Sequence, residues 1–399
     1  MKADPKGVLT GTHTLSGNYA CAEGALAAGC RFLGIYPIVP ALEVSQRFLD
    51  RAKEVDATFI QMEDEVSVLA AVLGASWTGK RSMTVTSGPG FSLMMEHLGL
   101  GVMLETPCVI VDVQMVGPGL GMPLRAAQAD IMQARWGSHG DYEIIAFAPS
   151  SPQEMFEFTI KAFNLSERFR IPVAVMSDAY LAHLEEKVVI PPADRIYIEP
   201  RRYYNGPQNS YLPFKRDQDF VPPMVDIGQG YRFHVTGLTH DDRGYPIMFE
   251  ECQEYNVHPL VKKVRSYADK IVEVQEINTE DAEVIVISYG TTARAALMAV
   301  EQARASGIKA GSLKLVTVWP FPEQKVAGLA KKAKAFVVPE MNFGQVVSEV
   351  ERCSYGNTNV FFVSHGEKGV ENTTDIVAAI EQASQMKKTE NRVIEYEGV

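Results

Sequence analysis

Between residues 30 and 190, and again between 283 and 385, short runs of branched and aromatic residues alternate with longer stretches of helical period. This alternation constrains the fold more than any other feature. Strands that are apolar along their whole length need cover on both faces, and crossover helices on a parallel sheet supply it. In the first half, strands are predicted at Phe32 to Tyr36, Thr58 to Gln61, Ser82 to Thr86, Cys108 to Val113, Glu143 to Ala146 and Pro172 to Met176. Helices fit between them at Asn18 to Ala28, Ala41 to Lys53, Glu65 to Thr78, Phe91 to Leu104, Ala126 to Ala134 and Pro152 to Arg168. In the second half, Glu283 to Ser288, Leu313 to Val318, Ala335 to Pro339 and Val360 to Val363 read as strands. Thr292 to Ser306, Glu323 to Lys332, Gly344 to Cys353 and Thr374 to Gln385 read as helices.

Between the halves the pattern collapses into Pro, Gly, Tyr and Asp, and an aperiodic stretch of that length is either functional or an arm that wraps another subunit. A helix over Pro259 to Val274 is expected to join the halves. The expected organisation is a doubly wound domain over 1–191, an irregular arm over 192–258, a second α/β domain over 259–387 and a charged tail over 388–399.

With 38 Lys and Arg against 49 Asp and Glu, the formal net charge is -11. No basic cluster offers phosphate neutralisation, so nucleic acid is not an expected partner. No apolar run reaches the length of a membrane span and no leader pattern opens the chain, which points to a cytoplasmic protein without a membrane partner. Cys21, Cys30, Cys108, Cys252 and Cys353 are isolated, with no Cys-x-x-Cys, so no metal site is expected in this chain and any iron–sulfur cluster must sit elsewhere. They read as reduced, mostly buried thiols.

Glu65 opens the run Glu-Val-Ser-Val-Leu-Ala-Ala-Val-Leu-Gly, almost all of it apolar after the first residue. A carboxylate there is expected to be buried at the positive end of its helix, with a raised pKa. Burial is costly unless something hydrogen-bonds the group, and an aminopyrimidine ring nitrogen, as in thiamine diphosphate, suits it. The bland alternative is a charge that caps the helix, and Glu63 and Asp64 are rival carboxylates in the same run.

Several pieces occur in one order: Gly17-Asn18 with Glu23-Gly24, Tyr36-Pro37-Ile38-Val39-Pro40, Met62-Glu63-Asp64-Glu65 with Gly74, Ser87-Gly88-Pro89-Gly90, and Gly121 through Arg125 and Gln128 to Asp130. In this order the chain resembles the alpha subunit of 2-oxoacid:ferredoxin oxidoreductases, of the 2-oxoglutarate type. The resemblance implies a thiamine-enzyme pyrimidine-binding domain followed by a transketolase C-terminal-like domain; Trp319-Pro-Phe-Pro and Pro339-Glu-Met-Asn-Phe-Gly-Gln345 are the matching pieces of the latter.

It implies further that Glu65 acts on the pyrimidine ring and that Pro37, Ile38, Ser87 and Gly88 line the cofactor. Arg125 would bind the carboxylate of a 2-oxoacid, with Val39 and Gln128 beside the substrate. Family members usually have threonine where Val39 stands, which puts the usual substrate in doubt. No Gly-Asp-Gly motif for magnesium and diphosphate is present. A beta subunit is therefore expected to hold Mg, the diphosphate and a 4Fe-4S cluster, with coenzyme A, ferredoxin and further gamma or delta subunits as partners. The expected activity is CoA-dependent oxidative decarboxylation, first of 2-oxoglutarate. Alternatives are a branched, aromatic or other unusual 2-oxoacid, half of a non-oxidative thiamine decarboxylase, or a non-catalytic assembly subunit. His234 and His240 either help admit a second carboxylate or CoA, or simply hold their loop.

Overall fold

The structure is a computed structural model that describes residues 1–364 and 373–388. The charged tail beyond 388 lies outside the described residues. An eight-stranded sheet forms the first half, in the order Thr317–Trp319, Ile145–Phe147, Pro172–Asp178, Cys108–Val116, Arg81–Thr86, Cys30–Ile35 and Thr58–Gln61, with Met122–Ala126 paired onto Cys108–Val116 as a hairpin. Its long strands run parallel. Val109, Val111 and Val113 enter one core with the helices Gly17–Ala27 and Pro152–Phe169. Ile110 enters the other, with Glu65–Trp77 and Met95–Met103. Strand alternation therefore puts Asp112 and Gln114 on the Ile110 face, at the strand's C-terminal end. That end of an open α/β sheet is where ligands bind.

The second half is a five-stranded sheet in the order Val274–Ile277, Ala310–Leu315, Val284–Tyr289, Ala335–Glu340 and Asn359–Ser364, parallel except at its first strand. The expected doubly wound sheet and second α/β domain are both present. They are less separate than expected, because Thr317–Trp319 leaves the second half and pairs antiparallel with Ile145–Phe147 of the first. Trp319 Nε1 also donates to the Ile131 carbonyl at 2.8 Å. Ile287, Leu313 and Phe336 share one core with Val68, Leu98 and Ile110.

Two expectations fail locally, and one feature was not expected. Ala126 to Ala134 is not a helix: the chain runs as the strand Met122–Ala126, and the helix starts later, at Ile131–Trp136. The joining helix is Glu250–Arg265, with Pro259 inside it rather than at its start. Proline removes the bond to the carbonyl four residues back, Tyr255, and Arg216 Nη1 donates to that oxygen instead at 3.4 Å. The antiparallel pair Gly11–Ser16 and Glu185–Ile190 went unforeseen.

The arm carries little regular structure but is firmly held. Arg170, fully buried in a left-handed conformation (φ 49°), donates to the carbonyls of Glu105, Pro213 and Pro222 at 2.9, 3.2 and 3.0 Å. Glu105 accepts from Lys263 at 2.9 Å and Arg216 at 2.8 Å, and all three side chains are buried. Burial alone would raise Glu105, but Lys263, Arg216 and Arg170 outweigh it and hold the carboxyl down to about 2. Burial lowers Lys263 to about 8 against the pull of Glu105. One anion divided among three cations gains more than any of them does.

Candidate functional site

Glu65 is the first residue of its helix and is 5% exposed. The capping task falls to Asp64, whose carboxylate accepts from Ser67 N at 2.7 Å. Glu65 is thus free of that duty, and burial raises its pKa while the charge of Asp64 adds to the effect. No arginine or lysine acts on it. The carboxyl lies over the turn Ser87–Gly90: a Cβ on Gly90 would overlap both Glu65 Oε1 and Thr86 Oγ1. Only glycine leaves that space open. Gly74, nine residues on, has no atom within 4 Å of where its Cβ would be.

Ser87 donates to the Val113 carbonyl at 2.7 Å, so its hydroxyl secures the turn, and Gly88 carries a positive φ of 28°. The loop of Pro37, Ile38 and Val39 follows the strand Cys30–Ile35 at the same end of the sheet. Asn18 Nδ2 fixes it, donating to the Pro40 carbonyl at 2.8 Å and to Glu43 at 3.0 Å. Tyr36 and Val39 remain 40% and 44% exposed, apolar surface at the rim of the site. Leu93 is also exposed, whereas Phe91, Met94 and Met95 are buried.

Arg125 projects from the hairpin strand Met122–Ala126 and is exposed, as are Leu120, Met122 and Leu124 beside it. Gln128 does not join it. Its side chain is buried at the junction of the halves, where Nε2 donates to the Tyr289 carbonyl at 2.9 Å and Oε1 accepts from Thr292 and from Met341 N at 2.5 and 3.2 Å. Gln128 therefore joins the two halves, away from exposed Arg125. His234 and His240 bond within the arm: Nδ1 of exposed His234 pairs with the Gly244 carbonyl at 2.7 Å, and buried His240 pairs with the Leu238 carbonyl at 2.8 Å.

Sequence reading singled out Gly90 only as part of its turn motif, and gave no role to Thr86 or Asp112. Thr86 Oγ1 and both Asp112 oxygens are buried with no hydrogen-bond partner. Asp112 had a visible signal, a lone acid within the run Cys-Val-Ile-Val-Asp-Val. A cavity of 1120 Å³ opens elsewhere, beside Trp136, Trp319 and Arg352, and none of these site residues lines it.

The residues fit a thiamine pyrimidine ring: a buried carboxyl of raised pKa with no cation upon it, an unpartnered hydroxyl next to it, and a glycine that keeps the space clear. A family model described as pyruvate flavodoxin/ferredoxin oxidoreductase, thiamine diphosphate-binding, matches residues 23–256, and one described as pyruvate:ferredoxin oxidoreductase core domain II matches 282–377. The chain belongs to the 2-oxoacid:ferredoxin oxidoreductases. Within that family it is an alpha subunit of the 2-oxoglutarate type. It is 49% identical over 356 residues to the 2-oxoglutarate synthase subunit KorA of Methanothermobacter thermautotrophicus, covering 88% of this chain and 93% of that one. With the ketoisovalerate oxidoreductase subunit VorB of Methanothermobacter marburgensis, identity falls to 34%, over 86% and 90% of the two chains. Among solved structures, the 2-oxoglutarate:ferredoxin oxidoreductase of Magnetococcus marinus, with 2-oxoglutarate, coenzyme A and succinyl-CoA bound, superposes with a TM-score of 0.88 at 30% identity. That match covers 94% of this alpha subunit and 66% of the other chain.

Proposed function

We propose that this alpha subunit, joined to a beta subunit, carries out the CoA-dependent oxidative decarboxylation of 2-oxoglutarate, passing electrons to ferredoxin. The supporting observation is Glu65, a buried acid aimed over Gly90 with no cation from its own chain to pair with. Thiamine diphosphate, when bound, supplies the carbanion chemistry. Glu65 holds a proton at the pyrimidine N1′, and its raised pKa lets it share that proton rather than surrender it. Pro37 and Ile38 would edge the ring. Ser87 and Gly88 would line the cofactor from their turn, and Thr86 would offer a further hydroxyl.

Arg125 would grip the substrate's 2-oxoacid carboxylate through paired donors, and its exposure in the free subunit fits a group waiting for a ligand. Val39 lies at the rim as an apolar neighbour to the substrate. The partner would hold the diphosphate, Mg and a 4Fe-4S cluster, since this chain has no Gly-Asp-Gly motif and its five cysteines are isolated free thiols. Exposed Leu120, Met122 and Leu124 give that partner apolar surface to cover. No helix among the described residues is long and apolar enough to cross a membrane, and we place the complex in the cytoplasm.

2-Oxoglutarate stands first because identity is higher to the 2-oxoglutarate synthase subunit, at 49%, than to the ketoisovalerate subunit, at 34%. The test is a panel of 2-oxoglutarate, pyruvate, branched and aromatic 2-oxoacids given to the purified complex with coenzyme A and a low-potential acceptor. Highest kcat/KM for 2-oxoglutarate supports the proposal. Reduction of the acceptor by a branched 2-oxoacid alone would move the assignment, and no reduction with any of them would remove it.

A further inference from the structure

Asp112 is entirely buried on the cofactor side of the first sheet, in register with Thr86 on the neighbouring strand. Its carboxyl lies within hydrogen-bonding reach of Asp130, eighteen residues further along. As two carboxylates the groups can only accept, and no side chain donates to buried Asp112 Oδ1, Asp112 Oδ2 or Asp130 Oδ2. A single proton placed between them converts that arrangement into one short, charge-assisted hydrogen bond.

The Gly88 amide compensates Asp112 in part, and no cation acts on either acid. The influences on Asp112 are burial, the charge of Asp130, their mutual hydrogen bond and, in opposition, the Gly88 amide; those on Asp130 are burial and Asp112. The next titratable groups on the packed elements are Glu65 across the turn, Asp178 paired opposite Gln114, and Arg125 on the hairpin, and none acts on either acid. His97 acts on Asp64 instead. Burial and mutual repulsion raise Asp112 well above the usual carboxylate range, and burial raises Asp130 as well.

The position of the pair gives it a task. Asp112 precedes the hairpin that carries Arg125, and Asp130 follows it, so the two acids close the hairpin's base. Gln114 makes a second tie, with Oε1 accepting from Asp130 N at 3.1 Å and Nε2 donating to the Ser177 carbonyl at 3.0 Å. On its other side Asp112 faces Gly88, in the turn beneath Glu65. We infer that Asp112 and Asp130 share one proton and act as a positioning pair, locking the Arg125 hairpin to the Glu65 turn so that the substrate cation and the ring-side acid keep one geometry. This rests on the proposed function for its meaning in catalysis, but the pair itself can be observed without turnover.

The test uses the assembled alpha–beta complex. An infrared difference spectrum between neutral and alkaline pH should show the C=O stretch of a protonated carboxyl that disappears in both Asp112→Asn and Asp130→Asn. Each amide can still donate to the remaining carboxylate, so these variants should keep the hairpin closed. In the wild type, KM for the 2-oxoacid should rise as alkali removes the shared proton, and Asp112→Asn should abolish that rise. Asp112→Leu, which cannot hydrogen-bond at all, should raise KM on the order of 10- to 100-fold with a smaller change in kcat. Absence of the infrared band from the wild type, or its persistence in both Asn variants, overturns the pair even in a fully active complex. A KM that keeps its alkaline rise in Asp112→Asn overturns the positioning role. If the band behaves as expected in a complex that turns over no 2-oxoacid, the pair stands and the assigned reaction falls.

Discussion

Two buried clusters of charge in this molecule are opposites. Around Glu105, the carboxylate has internal partners: Lys263 and Arg216 pair with it, buried Arg170 lies beside it, and together they tie the arm and the helix Glu250–Arg265 to the first domain. At the cofactor end of the sheet, Glu65 has no cation and Thr86 no partner at all. Both clusters carry the desolvation cost of buried polar groups. The first offsets most of it from within, since the Glu105 carboxylate is met by cations of its own chain. The second leaves it outstanding for an incoming molecule to offset, which marks a binding site more reliably than cavity size does here.

Acidity gives that contrast a sign. Glu105 is held below its ordinary pKa of 4.5, at about 2, so its stabilisation is complete above 4.5 and is lost as pH falls toward 2. Glu65 and Asp112 are raised, so the stability linked to them is complete below their ordinary values and is lost as pH climbs through the raised ones. Melting temperature against pH should therefore lose its acid-side slope in Glu105→Gln and flatten on the other side in Glu65→Gln. Identical profiles for the two variants would collapse the comparison.

The largest single effect is expected at Glu65. Glu65→Gln should lower kcat by about 10²- to 10⁴-fold, the usual weight of a positioned acid–base group, while the complex elutes intact on size exclusion. Loss of assembly instead would make Glu65 a structural residue like Glu105. Next comes Glu105→Gln, which leaves Lys263 buried without a full counter-charge and should cost about 3–5 kcal/mol in denaturant unfolding. Activity per folded complex should hold, and a selective drop in kcat would show that the closed cluster reaches the chemistry. Arg125→Lys keeps the charge but loses the paired donors. It should raise KM for the 2-oxoacid by roughly tenfold, about 1.4 kcal/mol, with little change in kcat. The smallest effect belongs to Val39→Thr, where one added hydroxyl is worth about 1 kcal/mol and should shift preference among 2-oxoacids without changing overall turnover.

Sequence reading succeeded where the determinant was local. The strand Thr58–Gln61 and the start of the helix at Glu65 agree with the structure to the residue, because period and an Asp-x-x-Ser cap are written in adjacent positions. It started a helix at Ala126 and gave no strand to Met122–Ala126, whose extended form comes from pairing across the hairpin with Met115 and Val116 and not from its own composition. It did not foresee the bonds of Gln128 across the halves, because proximity to Arg125 in the chain says nothing of Tyr289 and Met341, which are far away in sequence. Lys263 and Glu105 are 158 positions apart, beyond any pattern of spacing. Asp112 was legible as an anomaly, yet its partner was not, since the acid pair exists only once the strand and the segment after the hairpin are folded together.

The strand Thr317–Trp319, contributed to the opposite half's sheet, has a practical consequence for anyone dissecting this protein. Scissors placed in the arm would yield two pieces, one with a raw edge at Ile145–Phe147 and the other with an orphan ribbon that has nothing to lie against. Expressed apart, such fragments should clump or seek each other out, so the polypeptide is best handled as one inseparable unit however modular its diagram looks.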